Sequence, residues 1–306
     1  MPRTGLLAIS VALWSLVLPG SGLLAQEKPP GDPGEVASLR LNHVYVVLDH
    51  DLYTSLARSK EMTDLFGLFE ETMETGEGDS WTAMPWVGRR AYVEIFDAAG
   101  QEGREPGYGA IALSVHRPGD LARVEKAISS AFPDSTIRKT VSGSQIPWFD
   151  YVKVEHESPA PMNMWVMEFS REHLERRGIY PEGGGSFTRE AYWDSIREGA
   201  PYEGILDDIV GLELGLTGSE LTETRAFLLA LGFAEDETNG EYTWTRGGLE
   251  ILARQRTAPR SRIEVIRFSL AKSYPEDHSL SIGDTRLRLG KDGFGTWELA
   301  PNGSRR

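Results

Sequence analysis

The residues of this 306-residue chain best suited to chemistry are an imidazole and two carboxylates set in short apolar stretches: His43, Glu94 and Glu168. His43 lies in Leu41–Leu48, Glu94 in Ala91–Phe96 and Glu168 in Met164–Phe169. In a strand, alternate side chains face opposite ways. Val44, Val46 and Leu48 then share a face suited to a helix, and His43, Tyr45 and Val47 share the other. Val93 and Ile95 likewise send Tyr92, Glu94 and Phe96 into a hollow. Carboxylates buried beside a histidine are costly unless a cation or a shared proton compensates them. One reading is therefore a site that holds a cation or moves a proton. The other is a structural network in which His43 hydrogen-bonds Glu94 or Glu168 and holds two sheets together. Tyr45, Tyr92, Phe96 and Trp148 either line a ligand pocket or fill the core.

Strand-like and helix-like segments recur in one order. After Leu41–Leu48, Asp49 or Asp51 can cap a helix carrying Leu52, Leu56 and Leu65, which Gly67 ends. Strands follow at 68–75 and 80–87, around the Gly76–Asp79 turn, and then at Ala91–Phe96. A second round starts with Gly109–Val115, and Pro118–Asp120 opens a helix with Leu121, Val124, Ile128 and Ala131 on one stripe. Strands at Thr136–Val141, Trp148–Glu155 and Met164–Phe169 complete it, placing Glu168 where Glu94 stands in the first round. The segment 171–205, with Gly183–Gly185 and a short helix near Phe187–Arg197, reads as a linker on the outside of the fold.

A third round begins near Leu206. Ile209–Leu216 is a strand, and Thr217–Glu220 fits a capping box for a helix with Leu221, Leu228 and Leu231 that stops at Gly232. Strands at Phe233–Asp236, Tyr242–Arg246 and Leu249–Ala253 follow. The last round, Ile263–Leu270, Thr285–Leu289 and Gly295–Leu299, has no room for a full helix. The fold class is α+β, built from repeated βαβββ modules paired into two half-barrels, the second pair degenerate.

The chain opens with Arg3, an uncharged apolar run Leu6–Leu18 and the small Ala25. This is the pattern of a secretory signal, and the run is short of the ~20 residues a bilayer requires. Residues 1–25 are thus expected to be a signal peptide, with the mature chain secreted or periplasmic. Residues 26–39 read as a flexible leader, 40–170 as the first module pair, 171–205 as the linker and 206–306 as the second pair. The absence of cysteine excludes disulfides, a lipidated cysteine and thiolate metal sites. Cleavage after Ala25 leaves 31 basic and 46 acidic residues, a balance of −15. That excess argues against nucleic acid or an anionic membrane as a partner. The partner expected is a small-molecule ligand; a homodimer is left open. Asn302–Ser304 has the form of a glycosylation acceptor, relevant in a eukaryotic secretory host.

The four-module order resembles the vicinal oxygen chelate, or glyoxalase-like, superfamily. Leu41–Val47 looks like its opening strand and Tyr92–Phe96 like its metal-ligand fourth strand. That opening, the Trp165–Phe169 strand and the Gly295–Glu298 ending also resemble an uncharacterised subfamily with no assigned reaction. In metal-using members, the first and fourth strands of each module supply ligands. The resemblance carries these positions to His43, Glu94, Ala110 and Glu168, three of which can bind a metal. It implies one divalent ion, with Zn, Fe, Mn and Ni not distinguished, that would act as a Lewis acid. A second histidine for an iron triad is not placed, and nothing in the spacing demands that His156 approach. Gly211 stands where His43 does and Glu250 matches Glu94, so the second pair reads as structural.

No G-x-S-x-G elbow or phosphate-cradling G-x-x-x-x-G-K sequence is present. Two functions follow from the residues. One is a non-catalytic protein that binds a small molecule in the first hollow. The other is a metal-dependent lyase, isomerase or oxygenase using His43, Glu94 and Glu168. The second requires those three side chains to converge, and Ala110 already weighs towards the first.

Overall fold

A computed structural model describes residues 39–66, 71–74, 80–100, 105–143, 146–155, 162–198, 200–257 and 262–299. The expected signal peptide, Gly67, the Gly76–Asp79 turn, His156 and Asn302–Ser304 lie outside the described residues.

The first module comprises β1 (Arg40–Leu48), α1 (His50–Arg58), α2 (Lys60–Phe66), β2 (Glu71–Glu74), β3 (Ser80–Val87) and β4 (Tyr92–Asp97). The expected single helix is two, because the cap of α1 at Ser59 has an extended backbone (ψ 107°) and Ser59 Oγ then accepts from Met62 N. At the other end Asp49 Oδ1 accepts from Leu52 N at 2.9 Å, which fixes the start of α1. The second module comprises β5 (Gly109–Ser114), α3 (Leu121–Ala131), β6 (Thr136–Ser142), β7 (Pro147–Val154) and β8 (Met162–Phe169). A connecting segment carries α4 (Arg171–Arg176) and α5 (Arg189–Ile196), the latter capped by Thr188.

The third module comprises β9 (Leu206–Leu216), α6 (Gly218–Ala230), β10 (Ala234–Thr238), β11 (Glu241–Arg246) and β12 (Leu249–Gln255). Gly232, at φ 76°, takes the left-handed turn that stops α6. The fourth consists of strands alone: β13 (Arg262–Leu270), β14 (His278–Ile282), β15 (Thr285–Leu289) and β16 (Phe294–Glu298). Here β14 is an addition to the expected set. Its Ser279 and Ser281 alternate with Leu280 and Ile282 beside β15.

Two eight-stranded sheets result, ordered β2-β3-β4-β1-β5-β8-β7-β6 and β10-β11-β12-β9-β13-β16-β15-β14. The orders correspond strand for strand, and in each the opening strands of two modules meet antiparallel at the centre. That is the expected α+β architecture of paired βαβββ modules, with the last one lacking its helix. Val44, Val93, Leu113, Leu212, Ile251 and Ile266 belong to one core that joins the helix-bearing faces of both sheets. Where a fourth helix would lie, the first module supplies the cover. Trp86 packs edge-on against Phe268 and Trp297, and Glu61 Oε1 meets His278 Nε2 at 2.7 Å.

Candidate functional site

The register of β1 and β4 puts His43 beside Tyr92 and Tyr45 beside Glu94, so His43 and Glu94 share the concave face of the first sheet. A one-residue bulge alters the neighbourhood. Leu41 pairs with Leu113 and His43 with Ala112, so Asn42 is the extra residue. Asn42 Oδ1 accepts from His43 Nδ1 at 2.8 Å, and Asn42 Nδ2 reaches Ser114 Oγ at 3.4 Å. Ser114 Oγ lies 2.8 Å from His116 Nε2. All four side chains are buried. Desolvation pushes both imidazoles down to about 3, so they are neutral at physiological pH. His43 also stacks on Tyr92 at 4.5 Å and meets the edge of Trp165 at 5.5 Å.

Glu168 does not join them, which corrects the expected ligand set. In register, Ala110 pairs with Asn163 and Ala112 with Trp165. Across the sheet Tyr45 links Glu94 to Ala110 and so to Asn163, and His43 links Tyr92 to Ala112 and so to Trp165, while Glu168 faces the other side of the sheet. There its two carboxylate oxygens accept from Gly119 N and Leu121 N, each at 2.9 Å, and cap the start of α3. The corresponding Asp97 bonds His50 Nδ1 at 2.7 Å at the start of α1. Both modules thus use the end of their closing strand to hold their helix. Burial raises the Glu168 carboxyl against the pull of those two amides.

With Glu168 turned away and Ala110 unable to ligate, the residues do not fit a resident divalent ion. Among the described residues, no three His, Cys, Asp or Glu side chains are placed to hold a metal ion. Glu250 also departs from its expected place. It pairs with Gly211, the level of Tyr92 rather than Glu94, and its Oε1 accepts from Arg267 at 2.7 Å.

The first hollow is aromatic. Tyr45 meets Phe96 edge-on at 5.4 Å, stacks with Tyr108 at 5.8 Å and lies 6.0 Å from Trp165. Trp81, Tyr108 and Trp165 remain partly exposed around this cluster. Polar groups edge it: Glu94, Asn163, which donates to the Tyr108 hydroxyl, and Lys153, paired with Trp165. Burial, followed by the Lys139 cation, lowers the Lys153 amine below the usual lysine range. Of the four expected lining residues, Tyr45, Tyr92 and Phe96 stand on this face. Trp148 instead packs against Phe149 and His173 at the far end.

The connecting segment supplies that far end, which corrects the expectation that it packs outside. Tyr192 stacks on Phe169 at 4.1 Å, Trp193 meets Tyr92 at 5.3 Å and Phe187 stacks on His116 at 4.8 Å. It plugs half of the hollow and leaves the Tyr45–Trp165 half to solvent-facing rings. Trp165, Tyr108 and Lys153 were missing from the expected site. The signal for Trp165 was available in the Met162–Phe169 alternation, once counted from the correct partner.

The second hollow has a different character. Glu264, buried, is surrounded by Arg254, to which it is hydrogen-bonded, and by Arg256 and Arg262, each 3.5 Å away. Arg267 lies over Gly211, its Nε 2.8 Å from where a Cβ would be, and so fills the space that His43 occupies in the first hollow.

The model of a family of unknown function, DUF5829, matches residues 41–299. None of the curated proteins matches the sequence significantly. Among solved structures, a hypothetical protein from Staphylococcus aureus is 10% identical, with a TM-score of 0.49, over 82% of this chain and 98% of that one. An extradiol ring-cleaving dioxygenase from B. fuscum is 13% identical, with a TM-score of 0.45, over 89% and 75%. BphC, a halotolerant catechol dioxygenase, is 8% identical, with a TM-score of 0.42, over 86% of each chain.

Proposed function

The chain belongs to DUF5829, a family of unknown function, and from that premise we propose that it binds a small planar organic molecule in its first hollow without transforming it. The observation that carries this reading is the half-covered ring cluster of Tyr45, Tyr108, Trp81 and Trp165 beside Glu94 and Asn163. Ring faces hold a planar ligand by offset or edge contacts, and a few polar groups orient it. His43 then serves as a neutral, buried brace between β1 and β5. With the expected signal peptide at residues 1–25, the proposed place of this binder is secreted or periplasmic. Among the described residues, no helix is long and apolar enough to cross a membrane.

A neutral naphthalene fluorophore tests the site. It is expected to bind saturably and to quench tryptophan emission, with Trp165→Ala weakening binding by about tenfold, the loss of one large ring contact. Equal affinity for wild type and Trp165→Ala would remove the reading. Elemental analysis of the purified protein addresses the metal-enzyme alternative. A stoichiometric divalent ion that His43→Ala abolishes would replace binding with metal chemistry.

A further inference from the structure

A second cavity, of about 290 Å³, lies where the two half-barrels and the connecting segment meet. Leu41, Leu113, Ile209 and Phe233 give it apolar walls, and four guanidinium groups line it: Arg40, Arg90, Arg189 and Arg246. In a chain with a net charge of −14, such a concentration of cations in one cavity calls for an account.

Their partners differ. Arg189 is held by Asp208 through two bonds, at 2.7 and 2.5 Å. Arg90 meets Glu190 at 2.5 Å and Asp207 at 3.3 Å. Arg246 donates to the Leu231 and Gly232 carbonyls at the end of α6. Arg40 has one hydrogen bond, to its neighbour's Leu39 carbonyl at 2.8 Å, and among the described residues no carboxylate partner. Its Nη1 rests against the β11–β12 turn, 2.8 Å from where a Cβ on Gly247 would be. Gly247 has φ +56°, so the turn both requires glycine and opens the approach for Arg40.

We propose that this cavity binds a small monocarboxylate with an apolar body, its carboxylate on Arg40 and its body against Leu41, Leu113, Ile209 and Phe233. A guanidinium fork matches a carboxylate in geometry and charge. The apolar walls select against a bare inorganic anion. The volume, at the low end of ligand cavities, limits the body to a small ring or short chain.

Isothermal titration calorimetry with benzoate tests this on the full mature chain. Benzoate is expected to bind saturably at one site, and its neutral isostere benzamide and inorganic phosphate at least about tenfold more weakly. Arg40→Gln is expected to weaken benzoate by about tenfold, whereas Trp165→Ala leaves it unchanged, which separates this cavity from the first hollow. In the wild-type protein the Arg40 Nε–H resonance shifts on adding benzoate, a readout that does not depend on any variant folding. Absence of benzoate binding, an unmoved Arg40 resonance, or loss of binding in Trp165→Ala overturns the proposal.

Discussion

Acidification from about pH 6 to pH 5 is expected to remove roughly 2.7 kcal/mol of folding stability per pH unit through two fully buried imidazoles that take up protons only on unfolding. These groups are His43 and His116, both buried and both pushed down to about 3, chiefly by desolvation; His173, half-buried and lowered to about 4 by burial and the neighbouring arginines, adds to the slope in the same sense. A depressed histidine is neutral in the fold and takes up a proton when released near its unfolded value of about 6.5. Its contribution is therefore complete above that value and is lost as the pH falls towards 3. The carboxyls of Glu168 and Asp208 are raised by burial and act in the opposite sense at lower pH. Substitution of each histidine separates the imidazoles from these carboxyls. Denaturant titrations from pH 6 to 5 measure the slope, and His43→Gln or His116→Gln should each lower it by about 1.4 kcal/mol per pH unit, the share of one proton, whatever the variant's absolute stability. A slope unchanged in both variants would mean that neither ring is buried neutral.

Arg189→Met should cost about 3 kcal/mol of stability, the low end for breaking a buried pair by removing one partner. The side chains of Arg189 and Asp208 are 15% and 12% exposed, and Arg189 also donates to the Leu41 carbonyl at 3.2 Å. One guanidinium thus ties α5 to β9 and to β1. Burial already raises the Asp208 carboxyl, Arg189 being the chief opposing influence. Without the arginine, Asp208 becomes an uncompensated buried acid. The paired variant Arg189→Met/Asp208→Leu should recover most of the loss, because apolar replacement of both partners leaves neither group stranded. Thermal or denaturant unfolding of the wild type, the two single variants Arg189→Met and Asp208→Leu, and the paired variant measures the coupling. Simple additivity of the two changes would show that the pair does not act as a unit.

Much of the frame was legible because one face of most strands packs on helices. Val44, Val46 and Leu48 in β1, and Val93 and Ile95 in β4, alternate cleanly, which is why the shared side of His43 and Glu94 could be read. In β8 the same count failed. Trp165, Met167 and Phe169 face the hollow, while Met162 and Val166 face the core. With large apolar residues on both sides, the alternation does not say which side Glu168 takes. The reason lies far along the chain: Phe187, Tyr192 and Trp193 cover that end of the hollow and allow it to be apolar. The bulge at Asn42 was invisible for a related reason, since it exists only relative to β5. The arginines of the second hollow were in plain view at 254, 256, 262 and 267, but their meaning depends on Gly211 and Gly215 leaving room for their stems.

The cover that Trp86 and Glu61 extend over β13, β14 and β16 makes the two halves unequal. The C-terminal half made alone would present the rings of Phe268 and Trp297 to water and invite aggregation.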